Sequence, residues 1–100
     1  MLAAFGATPV AERTVLDGNL ITGGGVTAGI DFALVVAAEA FSPDLARLIQ
    51  LGIEYDPQPP FDAGSPDRAG PALVARARAA ATLRQAERRA AVEAAAAKLN

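Results

Sequence analysis

The sequence predicts a mixed fold of strands and helices: a β-hairpin, two medium helices, a proline-rich loop and a long C-terminal helix. Three observations support this order. An Asp17-Gly18 pair, typical of a tight turn, separates two stretches with strand character. Apolar residues dominate 27–41, and alanine, the best helix former, dominates 71–97. The length of 100 residues leaves room for one small domain.

The hairpin is predicted over residues 10–22. Val10 to Leu16 is rich in β-branched residues and forms the first strand, and Asn19 to Thr22 returns as the second. Asp17-Gly18 is the favoured pair for a two-residue type I′ turn. Three glycines follow at 23–25, where the backbone can adopt positive φ or approach another group closely.

The first helix is predicted over 27–41 and is apolar on nearly every side. Its charged residues are Asp31 and Glu39. We interpret Asp31, near the helix start, as complementing the helix dipole. A helix of this composition is normally buried on most sides, so we expect it to need cover from other elements.

The second helix is predicted over 43–51, from the capping signal Ser42-Pro43-Asp44 to Gly52 as the C′ residue. We predict that Leu45, Leu48 and Ile49 form its buried stripe. A proline-rich loop follows over 52–65. Ser65-Pro66-Asp67 repeats the capping signal, and the long helix is predicted over 71–97.

Composition excludes several kinds of chemistry. Cysteine and histidine are both absent, which excludes disulfides, thiolate or imidazole metal sites, and Cys-His or Ser-His catalysis within these residues. Alanine accounts for 25 of the apolar residues, so few large side chains remain for a core. We find no apolar run of bilayer-spanning length and no leader pattern, and we expect a cytoplasmic protein.

Charge is distributed unevenly along the chain. Residues 1–67 carry nine acids against two arginines, whereas 68–100 carry seven bases against two acids. A basic helix is compatible with nucleic acid or an acidic membrane as a partner. We favour a solvated helix face that complements the acidic remainder, because no aromatic residue is interleaved with the arginines. We therefore expect neither a nucleic acid nor a membrane as a partner.

Two motifs are candidates for a site. Gly23 to Ala28 matches the dinucleotide pattern G-x-G-x-x-A, with Asp44 about 20 residues on. However, it follows a hairpin, and Asp44 lies in a helix-start signal, so we do not expect a bound cofactor. Glu54, Asp56 and Asp62 are candidate acid/base groups or hard-metal ligands, and the alternative for them is turn formation beside proline.

A family resemblance rests on two longer runs. Residues 17–34 read DGNLITGGGVTAGIDFAL, and residues 50–66 read QLGIEYDPQPPFDAGSP. The first resembles the C-terminal signature of the DJ-1/PfpI superfamily, and the second is similar to its isonitrile hydratase-like branch. The resemblance extends from about Leu2 to Ala80. It implies a flavodoxin-like α/β fold with a central parallel sheet, related to class I glutamine amidotransferases and usually dimeric.

The resemblance also implies an activity. Isonitrile hydratases add water to an isonitrile and release an N-substituted formamide, through attack by a cysteine thiolate and with no metal or organic cofactor. Family members are about twice as long, and their nucleophile lies upstream of the part that matches Leu2. We therefore expect this chain to be a C-terminal fragment, inactive alone, with a homodimer or an N-terminal half-domain as its partner. Whether it acts as an enzyme stays open.

The resemblance indicates residues that line the pocket. Gly24, Gly25 and Thr27 match the loop and helix start beside the nucleophile, and Asp56 and Asp62 match the hydratase loop near the same pocket. We predict no catalytic residue within the chain. Two alternatives stay open: a binding or regulatory module completed by another polypeptide, and a piece of a DJ-1/PfpI-type transcription regulator.

Overall fold

The computed structural model describes residues 1–99, which form two compact units. Val10–Pro57, here called the hairpin unit, contains strands β1 (Thr14–Asp17) and β2 (Leu20–Gly23) and helices α1 (Ala28–Ala40) and α2 (Pro43–Gly52). The long-helix unit combines Met1–Pro9 with the chain from Gln58 onward. It contains a 3-10 turn (Leu2–Phe5) and helices α3 (Pro66–Ala69) and α4 (Pro71–Ala97).

The predicted hairpin is present, but its turn differs from the prediction. β1 and β2 pair antiparallel, with Asp17 opposite Leu20, so the two loop residues are Gly18 and Asn19 and not Asp17-Gly18. Gly18 has φ 60° and Asn19 has no positive φ. A type I′ turn needs positive φ at both central residues, so this pattern matches type II′, with glycine first. Pairing begins at Thr14, four residues after the predicted strand start.

The glycines after β2 allow helix α1 to approach the hairpin closely. A Cβ on Gly23 would lie 3.2 Å from the Cβ of Phe32, closer than ordinary van der Waals contact. Ala28, in the first turn of α1, is fully buried. Small residues at both positions therefore set the spacing between the hairpin and α1.

Helix α2 begins as predicted and ends differently. The Ser42 side chain accepts a hydrogen bond from the Leu45 amide at 3.1 Å, and Pro43 occupies the first turn. At the other end Gly52 is the last helical residue, and Glu54 adopts the left-handed conformation with φ 54°. Amide-to-carbonyl bonds from Glu54 to Leu51 and from Tyr55 to Gln50, both 3.1 Å, form a Schellman motif with Glu54 at C′. The prediction of Gly52 at C′ is therefore wrong by two residues.

The core of the described residues is small. The buried apolar residues are three alanines, Ala28, Ala46 and Ala96. In α2 the predicted buried stripe is exposed instead, with Leu48 at 65%. Phe41 and Val26 are 76% and 97% exposed. These two side chains lie just outside α1, and within α1 Ile30 is exposed while Phe32 and Leu34 are half-buried, so residues 1–99 cover this apolar helix only in part.

In the long-helix unit, a single glycine separates the short helix α3 from α4. Gly70 has φ 82° and ψ 161°, a conformation essentially restricted to glycine. Pro71 then opens α4, which runs for 27 residues.

None of the helices described in residues 1–99 is long and apolar enough to cross a membrane. The sheet in this part of the chain is the antiparallel pair alone, so the central parallel sheet implied by the resemblance does not lie within it.

Candidate functional site

The glycine loop between β2 and α1 is held by its main chain. The Gly24 amide donates to the Arg13 carbonyl at 2.9 Å, and a Cβ on Gly24 would lie only 3.0 Å from the Glu12 carbonyl oxygen. Gly25 has φ 79°, which strongly favours glycine. Thr27 occupies the N-cap of α1, yet its side chain makes no capping hydrogen bond. The loop therefore presents main chain and one hydroxyl-bearing residue at the helix start.

The structure does not support the dinucleotide alternative. β2 pairs antiparallel with β1, so within residues 1–99 it does not open a β-α-β unit. Asp44, which would be the ribose ligand, lies in the first turn of α2 and pairs with Arg47 at 3.0 Å. Its side chain is 93% exposed. Both findings fit a helix-start role for Asp44.

Three side chains from separate parts of the hairpin unit meet at Asp31, in the first turn of α1. Arg13, just before β1, donates from Nε to Asp31 Oδ2 in an ion pair. Tyr55, after α2, donates from Oη to Asp31 Oδ1 at 2.6 Å. The Asp31 side chain is 29% exposed, and Tyr55 is half-buried. We call these three residues the Asp31 cluster.

The cluster shifts the pKa values of its members in opposite directions. The Tyr55 hydroxyl, and then the Arg13 guanidinium, hold the pKa of Asp31 below its usual value because both donate hydrogen bonds to the carboxylate. The same carboxylate raises the pKa of Tyr55, because it accepts a hydrogen bond from the neutral phenol and would repel a phenolate. Asp31 is therefore an ionised acceptor and Tyr55 a neutral donor at neutral pH.

Tyr55 is the last residue of the Schellman motif, and Asp56 follows it directly. The Gln50 side chain donates from Nε2 to the Tyr55 carbonyl at 3.1 Å, in addition to the main-chain bond between these residues. A cavity of about 400 Å³ lies here within the hairpin unit. Its lining comprises Arg47, Gln50, Leu51, Glu54, Tyr55 and Asp56. Asp56 therefore directly follows a member of the Asp31 cluster whose main chain is held by two hydrogen bonds.

Asp62, the other predicted acid, lies in the long-helix unit. Arg68 Nη1 donates to both of its carboxylate oxygens, at 3.1 and 3.0 Å. That ion pair is exposed on both sides. No three His, Cys, Asp or Glu side chains among residues 1–99 are placed to hold a metal ion. The metal alternative for Glu54, Asp56 and Asp62 therefore has no structural support.

A second groove lies along α4 in the long-helix unit. It measures about 1050 Å³ and runs from Ala63–Pro66 along one face of the helix to Glu93. Leu73, Val74 and a series of alanines form its apolar floor, and Arg78 and Arg89 lie among them. It contains neither the glycine loop nor Asp56, so it is separate from the predicted site residues.

Sequence reasoning missed Arg13 and Tyr55 and gave Asp31 too small a role. Asp31 does lie in the first turn of α1, as the dipole interpretation requires. However, its partners lie 18 and 24 residues away, so no local spacing indicates them. The available signal was that Tyr55 is the single tyrosine and lies beside Asp56 in the hydratase-like run.

Known proteins similar to this chain include an isonitrile hydratase and a ThiJ/PfpI family protein. The chain is 57% identical over 102 aligned positions to an isonitrile hydratase from Pseudomonas putida, covering all of this chain and 44% of that protein. It also superimposes on a ThiJ/PfpI family protein from Pseudomonas syringae with a TM-score of 0.78 and 46% identity. That alignment covers 95% of this chain and 38% of the other. No protein-family model matches.

These matches confirm the α/β fold class and the resemblance predicted from the two sequence runs. The chain spans less than half of the length of each protein. The chain is therefore similar, over its own length, to part of an isonitrile hydratase and to part of a ThiJ/PfpI family protein.

Proposed function

We propose that this chain is the C-terminal part of an isonitrile hydratase-like lyase and is inactive by itself. The observation that carries the proposal is 57% identity to an isonitrile hydratase across the whole chain. In the proposed reaction a cysteine thiolate bonds to the isonitrile carbon, which takes up a proton to give a thioimidate. Water then adds to that carbon, the carbon–sulfur bond breaks, and the N-substituted formamide, the thiolate and a proton are released. The chain contains no cysteine, so the nucleophile would come from residues outside these 100.

We assign the wall of the substrate pocket beside that thiolate to Gly24, Gly25 and Thr27. The main chain at Gly24 already packs against the Glu12 carbonyl, which leaves no room for a side chain. The Thr27 hydroxyl does not cap α1 and is available to hydrogen-bond a substrate or a water molecule. A helix start also favours negative charge, which suits a nearby thiolate.

Beyond the pocket-lining role that the resemblance implies for both acids, we assign Asp56 the proton-handling role. Asp56 is exposed and lines the cavity beside Tyr55. Asp62 is held by two hydrogen bonds from Arg68, which order its loop. The position of Asp56 in the lining of the cavity beside Tyr55 supports Asp56 as the acid that exchanges a proton with water during thioimidate hydrolysis.

The partner we propose is the remaining, N-terminal part of the same α/β domain, in a dimeric protein. The support is the apolar surface of the hairpin unit, where Val26, Phe41 and Leu51 are each at least 75% exposed. Burial of large apolar side chains contributes about 1.5–3 kcal/mol each, so leaving several uncovered is costly. A parallel sheet against α1 would provide the cover that α1 needs.

A chimera tests the proposal. The C-terminal part of the P. putida isonitrile hydratase is replaced by this chain, and loss of an aliphatic isonitrile and release of its formamide are measured. We expect the chimera to hydrate the isonitrile, and the isolated chain to show no activity. A folded chimera without activity, or an active isolated chain, contradicts the proposal.

Two substitutions in the chimera test the site. Asp56→Asn is expected to lower kcat by about 100-fold, the usual range for loss of an acid/base group. Asp44→Asn is the matched control, because it changes another exposed aspartate of the hairpin unit and is expected to leave kcat unchanged. Equal effects of the two substitutions would remove Asp56 from the mechanism.

A further inference from the structure

We propose that Asp31 is a positioning residue that ties the glycine loop to the loop carrying Asp56. This inference rests on the proposed function, because it concerns the relative placement of two parts of the proposed pocket. It assigns a role to Asp31, Arg13 and Tyr55, none of which lies among the predicted pocket residues. The proposal stands on a continuous series of hydrogen bonds within the hairpin unit.

The first half of the series joins the glycine loop to Asp31. The Gly24 amide donates to the Arg13 carbonyl at 2.9 Å, so the main chain of Arg13 holds the loop. The side chain of the same residue donates to Asp31 Oδ2. A guanidinium–carboxylate pair is both charge-assisted and directional, so it fixes the first turn of α1 relative to the loop.

The second half joins Asp31 to the segment that bears Asp56. Tyr55 donates from its hydroxyl to Asp31 Oδ1 at 2.6 Å, so both carboxylate oxygens are engaged. The main chain of Tyr55 is anchored in turn by two hydrogen bonds with Gln50, one from its amide and one to its carbonyl. Asp56, the next residue, has little freedom to move while these bonds persist.

The backbone conformation before Tyr55 indicates that this placement is maintained at a cost. Glu54 has φ 54°, a left-handed conformation that is unfavourable for a residue other than glycine. The Schellman bonds and the Tyr55–Asp31 bond together offset this cost. Such conformations persist where surrounding contacts determine them.

The cluster differs from the other ion pairs of the chain in what it connects. Arg47–Asp44 joins residues three apart on one helix and is exposed on both sides. The bonds at Asp31 join residues 18 and 24 apart and include a half-buried tyrosine. An exposed local pair contributes little, whereas this cluster links three chain segments.

The first test uses the intact 100-residue chain. Tyr55 is the single tyrosine and there is no tryptophan, so tyrosinate absorbance during a pH titration reports on this residue alone. We expect an apparent pKa above the value of about 10 found in denaturant, and a decrease toward about 10 in Asp31→Asn. Asp44→Asn, which alters the other first-turn aspartate of this unit, should titrate as the unmodified chain does. An unmodified chain that titrates as in denaturant overturns the proposal.

The second test uses the chimera described above. Tyr55→Phe removes only the hydroxyl, and Asp31→Asn removes the charge while preserving side-chain shape. Each is expected to lower kcat about 10-fold with KM changed less, because displacement of a catalytic group by about 1 Å costs up to about 100-fold. The double variant should be no slower than the slower single variant, since both break one link. Additive effects, or an unchanged kcat, overturn the proposal.

The two tests separate failure of this inference from failure of the proposed function. If the Tyr55 pKa is raised and the chimera is inactive, the result supports the role of the Asp31 cluster and rejects the hydratase assignment. An active chimera with an ordinary Tyr55 pKa rejects the cluster and retains the hydratase assignment. Asp44→Asn in the chimera again serves as the control and should leave kcat unchanged.

Discussion

The tripeptide Ser-Pro-Asp occurs once in each unit of this protein, with different structural results. In the hairpin unit, Ser42 caps α2 through its side chain, and the helix continues for ten residues. In the long-helix unit, Ser65 makes no side-chain capping bond, and α3 ends after four residues at Gly70. The same start signal therefore gives helices of different length, because the residues that follow it decide where the helix ends.

The two units also differ in how distant residues are connected. In the hairpin unit, the Asp31 cluster joins residues 18 and 24 positions apart. In the long-helix unit, local main-chain hydrogen bonds and the high helix propensity of alanine stabilise α4, and most residues of this helix are exposed. We expect substitutions in α4 to act through helix propensity, and substitutions in the hairpin unit to act through specific contacts.

The largest effect is expected from breaking α4. Ala81→Pro, in the helix interior, removes one main-chain hydrogen bond and introduces a steric clash, which costs about 3 kcal/mol. Far-UV circular dichroism should show the loss of a large part of the helix signal. Ala81→Gly is the graded control, with a cost of about 1 kcal/mol. Equal losses of helix signal in the two variants would show that intrinsic helix propensity does not determine the stability of α4.

Glycine-to-alanine substitutions should have opposite signs in the two units. Gly70→Ala places a side chain at φ 82° and ψ 161°, and is expected to cost about 1–3 kcal/mol. Gly29→Ala lies inside α1 with no atom within 4 Å of the new Cβ, and should gain about 0.5–1 kcal/mol. Chemical denaturation of both variants measures the free energy of unfolding. The same sign at both positions would contradict the assigned backbone conformations.

The two capping serines provide a smaller, matched comparison. Ser42→Ala removes the acceptor for the Leu45 amide and should cost about 1 kcal/mol. Ser65→Ala removes no capping bond, so its effect should stay within about 0.5 kcal/mol. Thermal unfolding of the two variants under identical conditions tests the difference. A larger loss for Ser65→Ala would reverse the comparison between the two tripeptides.

The smallest effects concern the pH dependence of the hairpin unit. The lowered pKa of Asp31 gives stability that is present above about pH 4 and is lost as pH falls through its folded-state pKa. The raised pKa of Tyr55 gives stability that is present below about pH 10 and is lost as pH rises through its folded-state pKa. Asp31→Asn should flatten both limbs of a stability–pH profile, whereas Asp44→Asn should not. If the stability–pH profiles of the two variants are parallel, the Asp31 cluster does not contribute to the pH dependence of stability.

Local patterns predicted much of the fold, since they depend on neighbouring residues. Ser42-Pro43 and Pro71 mark helix starts at the positions observed. Local patterns failed where the sequence allows two backbone conformations of similar free energy. Asp17-Gly18 and Gly18-Asn19 both suit a hairpin turn, and the pairing of Asp17 with Leu20 selects the second. The C′ position is Glu54 and not the predicted Gly52, and the main-chain bonds from Glu54 to Leu51 and from Tyr55 to Gln50 define it.

The candidate site was less predictable than the fold. Gly24 and Gly25 stand out in the sequence, and the structure gives physical reasons for both, a close carbonyl and a positive φ. The Asp31 cluster requires the tertiary arrangement, since its members share no spacing or motif. Pocket roles for Thr27, Asp56 and Asp62 remain predictions from the family resemblance.

The most direct test of the central claim is isonitrile hydration by the P. putida enzyme whose C-terminal part is replaced by this chain. We expect formamide release by the chimera, a large loss of kcat in Asp56→Asn, and no activity in the isolated chain. A folded chimera that leaves the isonitrile unchanged would contradict the claim that this chain completes a hydratase.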